Sequence, residues 1–213
     1  MRRLKKAVSI DELLKKKFIE IPLTGRFRDL LGRPEASGTW FIKGKSGEGK
    51  TTFMLQLIKE LTKFGNIIYN SLEEGARLSM KEAFKEQNLT KDERNKIKLL
   101  HREPMDDMRE RLKRSRGIRF VVIDSIQYAF MTLKEYKDMQ AENPNIVFII
   151  NSHVKGKYAI GTLAHAIEYD ADQKINVEGF KAFSRSRGSR GKITKPYTIW
   201  EEGAQKYWND LKL

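Results

Sequence analysis

No cysteine occurs anywhere in the 213 residues. Disulfides, zinc ribbons, thiolate clusters and a cysteine nucleophile are therefore excluded. Histidine is scarce, and His101, His153 and His165 are too scattered for a local metal-ligand pattern such as H-E-x-x-H. Long apolar runs are missing as well. The longest, near Phe120–Ile123 and Ile146–Ile150, fall far short of the ~20 residues that cross a bilayer, so no membrane partner is expected. The opening MRRLKKAVSIDELLKKK has a basic head but no apolar stretch of the secretory type, which points to a cytoplasmic location. Acidic residues are in the minority: 28 Asp and Glu stand against 42 Lys and Arg, for a formal charge of +14.

A surplus of that size favours polyanionic partners through counterion release and long-range steering. It is concentrated in two stretches. Residues 1–17 carry Arg2, Arg3, Lys5, Lys6, Lys15, Lys16 and Lys17 against Asp11 and Glu12. Residues 181–195 carry Lys181, Arg185, Arg187, Arg190, Lys192 and Lys195 with no acid, interleaved with Ser and Gly as in a phosphate-tracking loop. A solvated basic surface would have the same composition, so charge alone does not decide between the two.

Five prolines punctuate the chain and no internal repeat is present. Ser9 with Glu12 makes a capping box for a helix over 10–17. Alternation and β-rich composition predict strands at Thr39–Lys43, Asn66–Leu72, Ile97–Leu100, Arg119–Asp124 and Asn145–Ser152. Apolar residues at helical spacing predict helices over Lys50–Phe64, Glu74–Gln87, Pro104–Arg116 and Leu133–Asn143, with a further turn capped by Thr90 and Glu93. Strands alternating with helices, with nearly continuous apolar cores, indicate a parallel sheet covered on both faces. After His153 the spacing shortens. Gln173–Val177, Phe180–Ser184 and Tyr197–Glu201 read as strands without room for crossover helices, hence an antiparallel extension at one edge, closed by a helix over Ala204–Leu211.

Gly44-Lys45-Ser46-Gly47-Glu48-Gly49-Lys50-Thr51 satisfies G-x-x-x-x-G-K-[ST], between a predicted strand and a predicted amphipathic helix. Glycines let successive backbone N–H groups turn inward around phosphate oxygens, and the helix start adds its positive dipole end. The expected nucleotide-binding set is Gly44, Ser46, Gly47, Glu48, Gly49, Lys50, Thr51 and Thr52. Lys50 would reach the β- and γ-phosphates and the Thr51 hydroxyl would ligate Mg²⁺. Asp124, at the end of RFVVID, fits the carboxylate linked to that Mg²⁺. Glu73, just past NIIYNSL, is the candidate base that orients water, with Glu74 the alternative. His153 ends a buried strand at the same edge and is a candidate γ-phosphate sensor; a packed or solvated histidine would look the same in sequence.

The ordered set GKSGEGKT, SLEE, VVIDSIQ and NSHVKGK resembles the RecA superfamily, above all RadA-type repair ATPases and the helicase domain of DnaB-type replicative helicases. The likeness runs from about Leu23 to Trp200. It implies a basic N-terminal segment over residues 1–22, then a RecA-like P-loop core over 23–213: an α/β fold with a mostly parallel sheet, helices on both faces and an antiparallel C-terminal extension. It further implies an ATPase using ATP and Mg²⁺ on DNA, often single-stranded, in a homo-oligomeric ring or filament. Segment 154–160 matches the family's DNA-facing loop, so Lys155 and Lys157, with Arg190 and Lys192, are the expected DNA contacts. The RadA motif Lys-Asn-Arg-Phe-Gly has an approximate counterpart in Ser184-Arg185-Ser186-Arg187-Gly188, which makes Arg185 or Arg187 the arginine that reaches a neighbour's phosphate. An ATP-switched assembly or loader protein without sustained turnover is the alternative. A small-molecule kinase would share the loop but leaves the basic stretches without a purpose.

Overall fold

The computed structural model describes residues 7–186 and 194–210. The strands are β1 (Gly38–Gly44), β2 (Asn66–Ser71), β3 (Ile97–His101), β4 (Ile118–Asp124), β5 (Val147–Lys155), β6 (Tyr158–Ala159), β7 (Gln173–Glu178), β8 (Lys181–Ser186) and β9 (Tyr197–Thr198). They lie in the order β3-β2-β4-β5-β1-β7-β8-β9, with β6 paired to the end of β5. The first six in that order are parallel; β8 and β9 are antiparallel additions. The helices are α1 (Ile10–Lys15), α2 (Gly25–Leu31), α3 (Lys50–Leu61), α4 (Leu78–Glu86), α5 (Lys91–Lys96), α6 (Met105–Arg114), α7 (Leu133–Glu142), α8 (Thr162–Asp170) and α9 (Glu201–Asp210).

The strand period of two sends alternate side chains into two separate cores. Trp40 and Ile42 of β1, with Ile67, Val122 and Ile149, pack under α2 and α3, where Leu30, Phe53, Leu57 and Leu61 are fully buried. Phe41, Ile68, Val121, Ile123 and Phe148 face the other way, against Met108 of α6, Tyr136 of α7 and Ile167 of α8. The near-continuous apolar character of the central strands is thus the consequence of helices on both faces. Because every strand from β3 to β7 runs the same way, the ends of β1, β2, β4 and β5 meet at one edge, with Ser71 opposite Asp124 and Gly44 opposite His153.

Three expectations need correction. Helix α8 lies between β6 and β7, so Gln173–Glu178 returns parallel to β1, and antiparallel pairing begins only at β8. Its turns bury only Ala164 and Ile167, a faint stripe in the sequence. Residues 74–77 are not helical; Gly75 sits at φ 73° and backbone contacts hold the segment as a loop before Leu78. Strand β9 covers only Tyr197–Thr198, with one more backbone bond from the Ile199 N–H to the Phe180 carbonyl, and α9 starts at Glu201 rather than Ala204. Helix α1 keeps the expected Ser9–Glu12 capping box but ends at Lys15 and buries none of its residues.

Leu57 is 0% exposed where α3 meets the sheet. Leu57→Ala is expected to cost about 3 kcal/mol, read as a lower midpoint in urea unfolding at unchanged m-value.

Candidate functional site

The glycine-rich loop is shaped by two different demands on glycine. Gly44 is extended, but a Cβ there would lie 2.2 Å from the Val177 carbonyl oxygen, so β7 can pair beside the loop only because the side chain is absent. Gly47 and Gly49 stand at φ 79° and 94°, a region that other residues avoid. From there the chain enters α3, whose first backbone N–H groups have no partner within the helix. Lys50 opens that helix, and its ammonium donates to the Lys45 carbonyl at 2.7 Å. Burial pulls the Lys50 pKa down, and Asp124, Glu48 and Glu73 partly offset that.

Asp124 ends β4 and is 7% exposed. Its carboxylate accepts a hydrogen bond from the Tyr69 hydroxyl of β2 and one of 2.6 Å from Asn151 Nδ2 of β5. Burial pushes the Asp124 carboxyl above the usual carboxylate range, and the two donors pull it back. Burial, followed by the neighbouring Asp124 charge, likewise drives the Tyr69 phenol up, well above its ordinary value, so it stays a donor. The Asp124 carbonyl accepts from the N–H groups of Leu72 and Glu73 at 2.6 and 3.1 Å, which fixes the start of the loop carrying Glu73.

The Glu73 carboxylate bridges to β5 through His153 Nε2 at 2.7 Å and receives the Ser125 hydroxyl at 3.3 Å. The far side of its loop is clamped by β3 and β2. Ala76 N–H donates to His101 Nδ1, the Arg102 guanidinium donates to the Glu73 carbonyl, and Gly75 N–H donates to Ser71 Oγ. Glu74 is engaged by the Ser79 hydroxyl. A cleft of about 660 Å³ brings together Ser46, Gly47, Gly49, Lys50, Thr51 and Thr52 with Glu73, Glu74, Asp124 and His153. Gly44 and Glu48 do not line it.

The remaining expected residues lie elsewhere. Lys155 ends β5 and Lys157 sits in the turn before β6, both exposed. Arg185 is on β8 and faces a separate cleft. Arg187, Arg190 and Lys192 fall outside the described residues. Five residues lining the glycine-loop cleft had not been expected there: Arg77, Ser79, Arg102, Asn151 and Phe180. Asn151 carried a signal, a polar side chain inside an apolar strand. Tyr69 carried none, since an aromatic in a β-rich run reads as core.

The donor chemistry fits a hard cation beside a phosphate chain. Thr51 and Asp124 offer oxygen ligands, and Asn151 Oδ1 is buried in the cleft wall with no hydrogen-bond partner. Among the described residues no group of three or more His, Asp or Glu could hold a metal alone. A cation here would therefore share its coordination with phosphate oxygens, the usual habit of Mg²⁺.

Tyr69→Phe removes a donor that favours the ionised Asp124. The Asp124 titration, followed by carboxyl-carbon NMR, is therefore expected to move to higher pH; a midpoint that stays or falls would contradict the assigned hydrogen bond.

No protein-family model matches the chain, and no curated protein matches it. Among solved structures it is similar to a KaiC-like protein from the hyperthermophilic archaeon Pyrococcus horikoshii, with a TM-score of 0.55 and 20% identity over 85% of this chain and 93% of that one. The shared architecture is the mostly parallel, helix-flanked sheet with antiparallel C-terminal strands: this chain has a RecA-like fold.

Proposed function

We propose that the chain is an ATPase that binds ATP with Mg²⁺, hydrolyses it, and couples the cycle to single-stranded DNA. One observation carries the nucleotide half: Lys50, Thr51, Glu73, Asp124 and His153, drawn from four parallel strand ends, line a single cleft at the start of α3. Ligands collect at that edge in open α/β sheets. The amides of residues 46–52 and the Lys50 ammonium, released from the Lys45 carbonyl, would bind the phosphates. Thr51 and, directly or through water, Asp124 would hold Mg²⁺, which would neutralise charge developing on the phosphate oxygens. Glu73 is the group that orients and deprotonates water, positioned by His153 and Ser125. Half-buried Phe180 lines the cleft beside Gly49 and Thr52 and is braced edge-on by Trp200 at 5.1 Å; it supplies a flat surface for the base.

The DNA half rests on the charge of +14 and on where β5 leads. Two residues beyond His153 the strand reaches Lys155, and the turn to β6 presents Lys157. Gln127 ties the two ends of this hairpin together, donating to Ser152 Oγ at 2.9 Å and the Ile160 carbonyl at 2.8 Å while accepting from His153 N–H. A change at His153 on hydrolysis thus has a short covalent and hydrogen-bonded route to Lys155 and Lys157. Assembly into a ring or filament, with Arg185 or Arg187 reaching a neighbour's nucleotide, belongs to the same reading.

Turnover of ATP with and without oligo-dT tests both halves. Lys50→Ala is expected to abolish hydrolysis, and Glu73→Gln to lower kcat by about 100- to 10,000-fold while nucleotide binding survives. Negligible turnover in the parent protein even with DNA, together with nucleotide-dependent assembly, would favour a switch or loader instead. Phe180→Ala is expected to raise KM for ATP with little change in kcat, the signature of lost uniform binding.

A further inference from the structure

Among the described residues, one face of the C-terminal half of the sheet carries no helix over its centre. In β7 the side chains of Ile175 and Val177 are buried against the α2 and α3 side, while Lys174, Asn176 and Glu178 alternate onto the other face. Phe183 and Arg185 of β8 continue that face. Helix α8 walls it on one side and Trp208 of α9 on the other, and the β5–β6 hairpin closes one end with Lys157 and Tyr158. The resulting cleft measures about 1080 Å³. That is above the top of the ~300–1,000 Å³ range of small-ligand pockets, and its walls mix aromatic rings with charged side chains.

Its chemistry is that of a polyanion with flat rings. Lys43 and Glu168 neutralise each other at 2.6 Å, which leaves Lys157, Lys174 and Arg185 against Glu178. Among the described residues none of those three cations makes an ion pair, and Arg185 is exposed. Two exposed tyrosines flank the cleft, Tyr158 at 58% and Tyr169 at 74% exposure. Each has a cation over its face: Lys157 lies 5.3 Å from the Tyr158 centroid and Lys174 lies 5.5 Å from that of Tyr169. Exposed rings spaced along a strip of unpaired cations are what a single strand requires, with phosphates on the ammonium and guanidinium groups and bases on the rings. A duplex hides the base faces and would leave both tyrosines without a function.

We propose that this uncovered face of β7 and β8 is a groove for single-stranded nucleic acid, in which Tyr158 and Tyr169 stack bases and Lys157, Lys174 and Arg185 contact phosphates. It rests on the nucleic-acid reading above and names the surface that serves it. Lys43, the residue before Gly44, also donates to the Lys157 carbonyl at 2.8 Å, so the groove and the nucleotide loop share a strand. None of the five proposed contacts lines the nucleotide cleft.

The test is fluorescence anisotropy of a labelled oligo-dT of about 20 nucleotides across a salt series, on the full chain, with DNA-free ATP turnover and light-scattering mass measured in parallel. Tyr169→Ala is expected to weaken binding about 5- to 100-fold. Lys174→Ala and Arg185→Ala are each expected to flatten the log–log salt slope by about 0.7. DNA-free turnover should be unchanged in Tyr169→Ala and Lys174→Ala, and the exposed positions of Tyr169 and Arg185 keep the fold intact when either is replaced. If the parent binds the oligonucleotide and the variants bind it equally well with the parent's salt slope, the groove is refuted while the nucleic-acid reading stands. If the parent does not bind even at low salt, both fail. If the variants instead change the assembly mass and leave DNA affinity untouched, the face is a contact between copies and the proposal is overturned.

Discussion

A single buried carboxylate holds the working edge of this sheet together. Asp124 is reached from β2 by Tyr69 and from β5 by Asn151, while its own carbonyl fixes the two residues that lead to Glu73. An ionised group this deep is tolerated only when its lone pairs are satisfied, and leaving such a charge unpaired costs several kcal/mol. Strand ends that might otherwise splay are thereby locked in register, Ser71 beside Asp124 and Gly44 beside His153. The position of Glu73 is inherited from this arrangement. Its backbone hangs from Asp124 and Arg102, and its carboxylate is aimed by His153 and Ser125.

The same edge connects to the open face of β7 and β8 through side chains that serve both. Lys43 sits one residue before the glycine loop, pairs with Glu168 of α8 and caps the Lys157 carbonyl in the hairpin. His153 belongs to the Glu73 hydrogen bond and, through its carbonyl, to Ile160 across the hairpin. The glycine at position 44 does not line the glycine-loop cleft, and its role in this geometry is one of space. Only without a Cβ can β7 lie close enough for its Val177 carbonyl to pass the loop, and β7 is the strand that carries Lys174.

How much of this was legible in the sequence depended on whether a residue's role is local. The placement of the glycine loop, Lys50, Thr51 and the strand ending at Asp124 was legible because a strand–glycine loop–helix motif and strand periodicity leave short-range patterns, and the central strands fall within a few residues of the expected ranges. Tyr69 was not legible, because its hydroxyl has a partner 55 positions away. Phe180 was not, because what makes it face the cleft is a left-handed backbone at φ 59° and the brace of Trp200, neither of which periodicity encodes. Helix α8 escaped notice since a nine-residue helix with two buried side chains has too little amphipathic contrast to stand out, and missing it reversed the expected direction of β7.

The composition of β7 explains why, among the described residues, no helix covers one face of the sheet there. The central strands are apolar on both sides, so burial on both sides stabilises them. Strand β7 reads Gln-Lys-Ile-Asn-Val-Glu, apolar only at Ile175 and Val177. A helix laid over Lys174, Asn176 and Glu178 would desolvate charged and amide groups without enough apolar area in return. The chain instead crosses over by α8 at the margin and continues into an antiparallel hairpin that needs no crossover helix, whose inner Ala182 joins the core while Phe183 and Arg185 look outward. Half-buried alternation of this kind is ordinary for an antiparallel edge. On the surface left open by this folding constraint Lys157, Lys174 and Arg185 outnumber Glu178 and stand alongside aromatic rings, the chemistry that the proposed groove for a flexible polyanion requires.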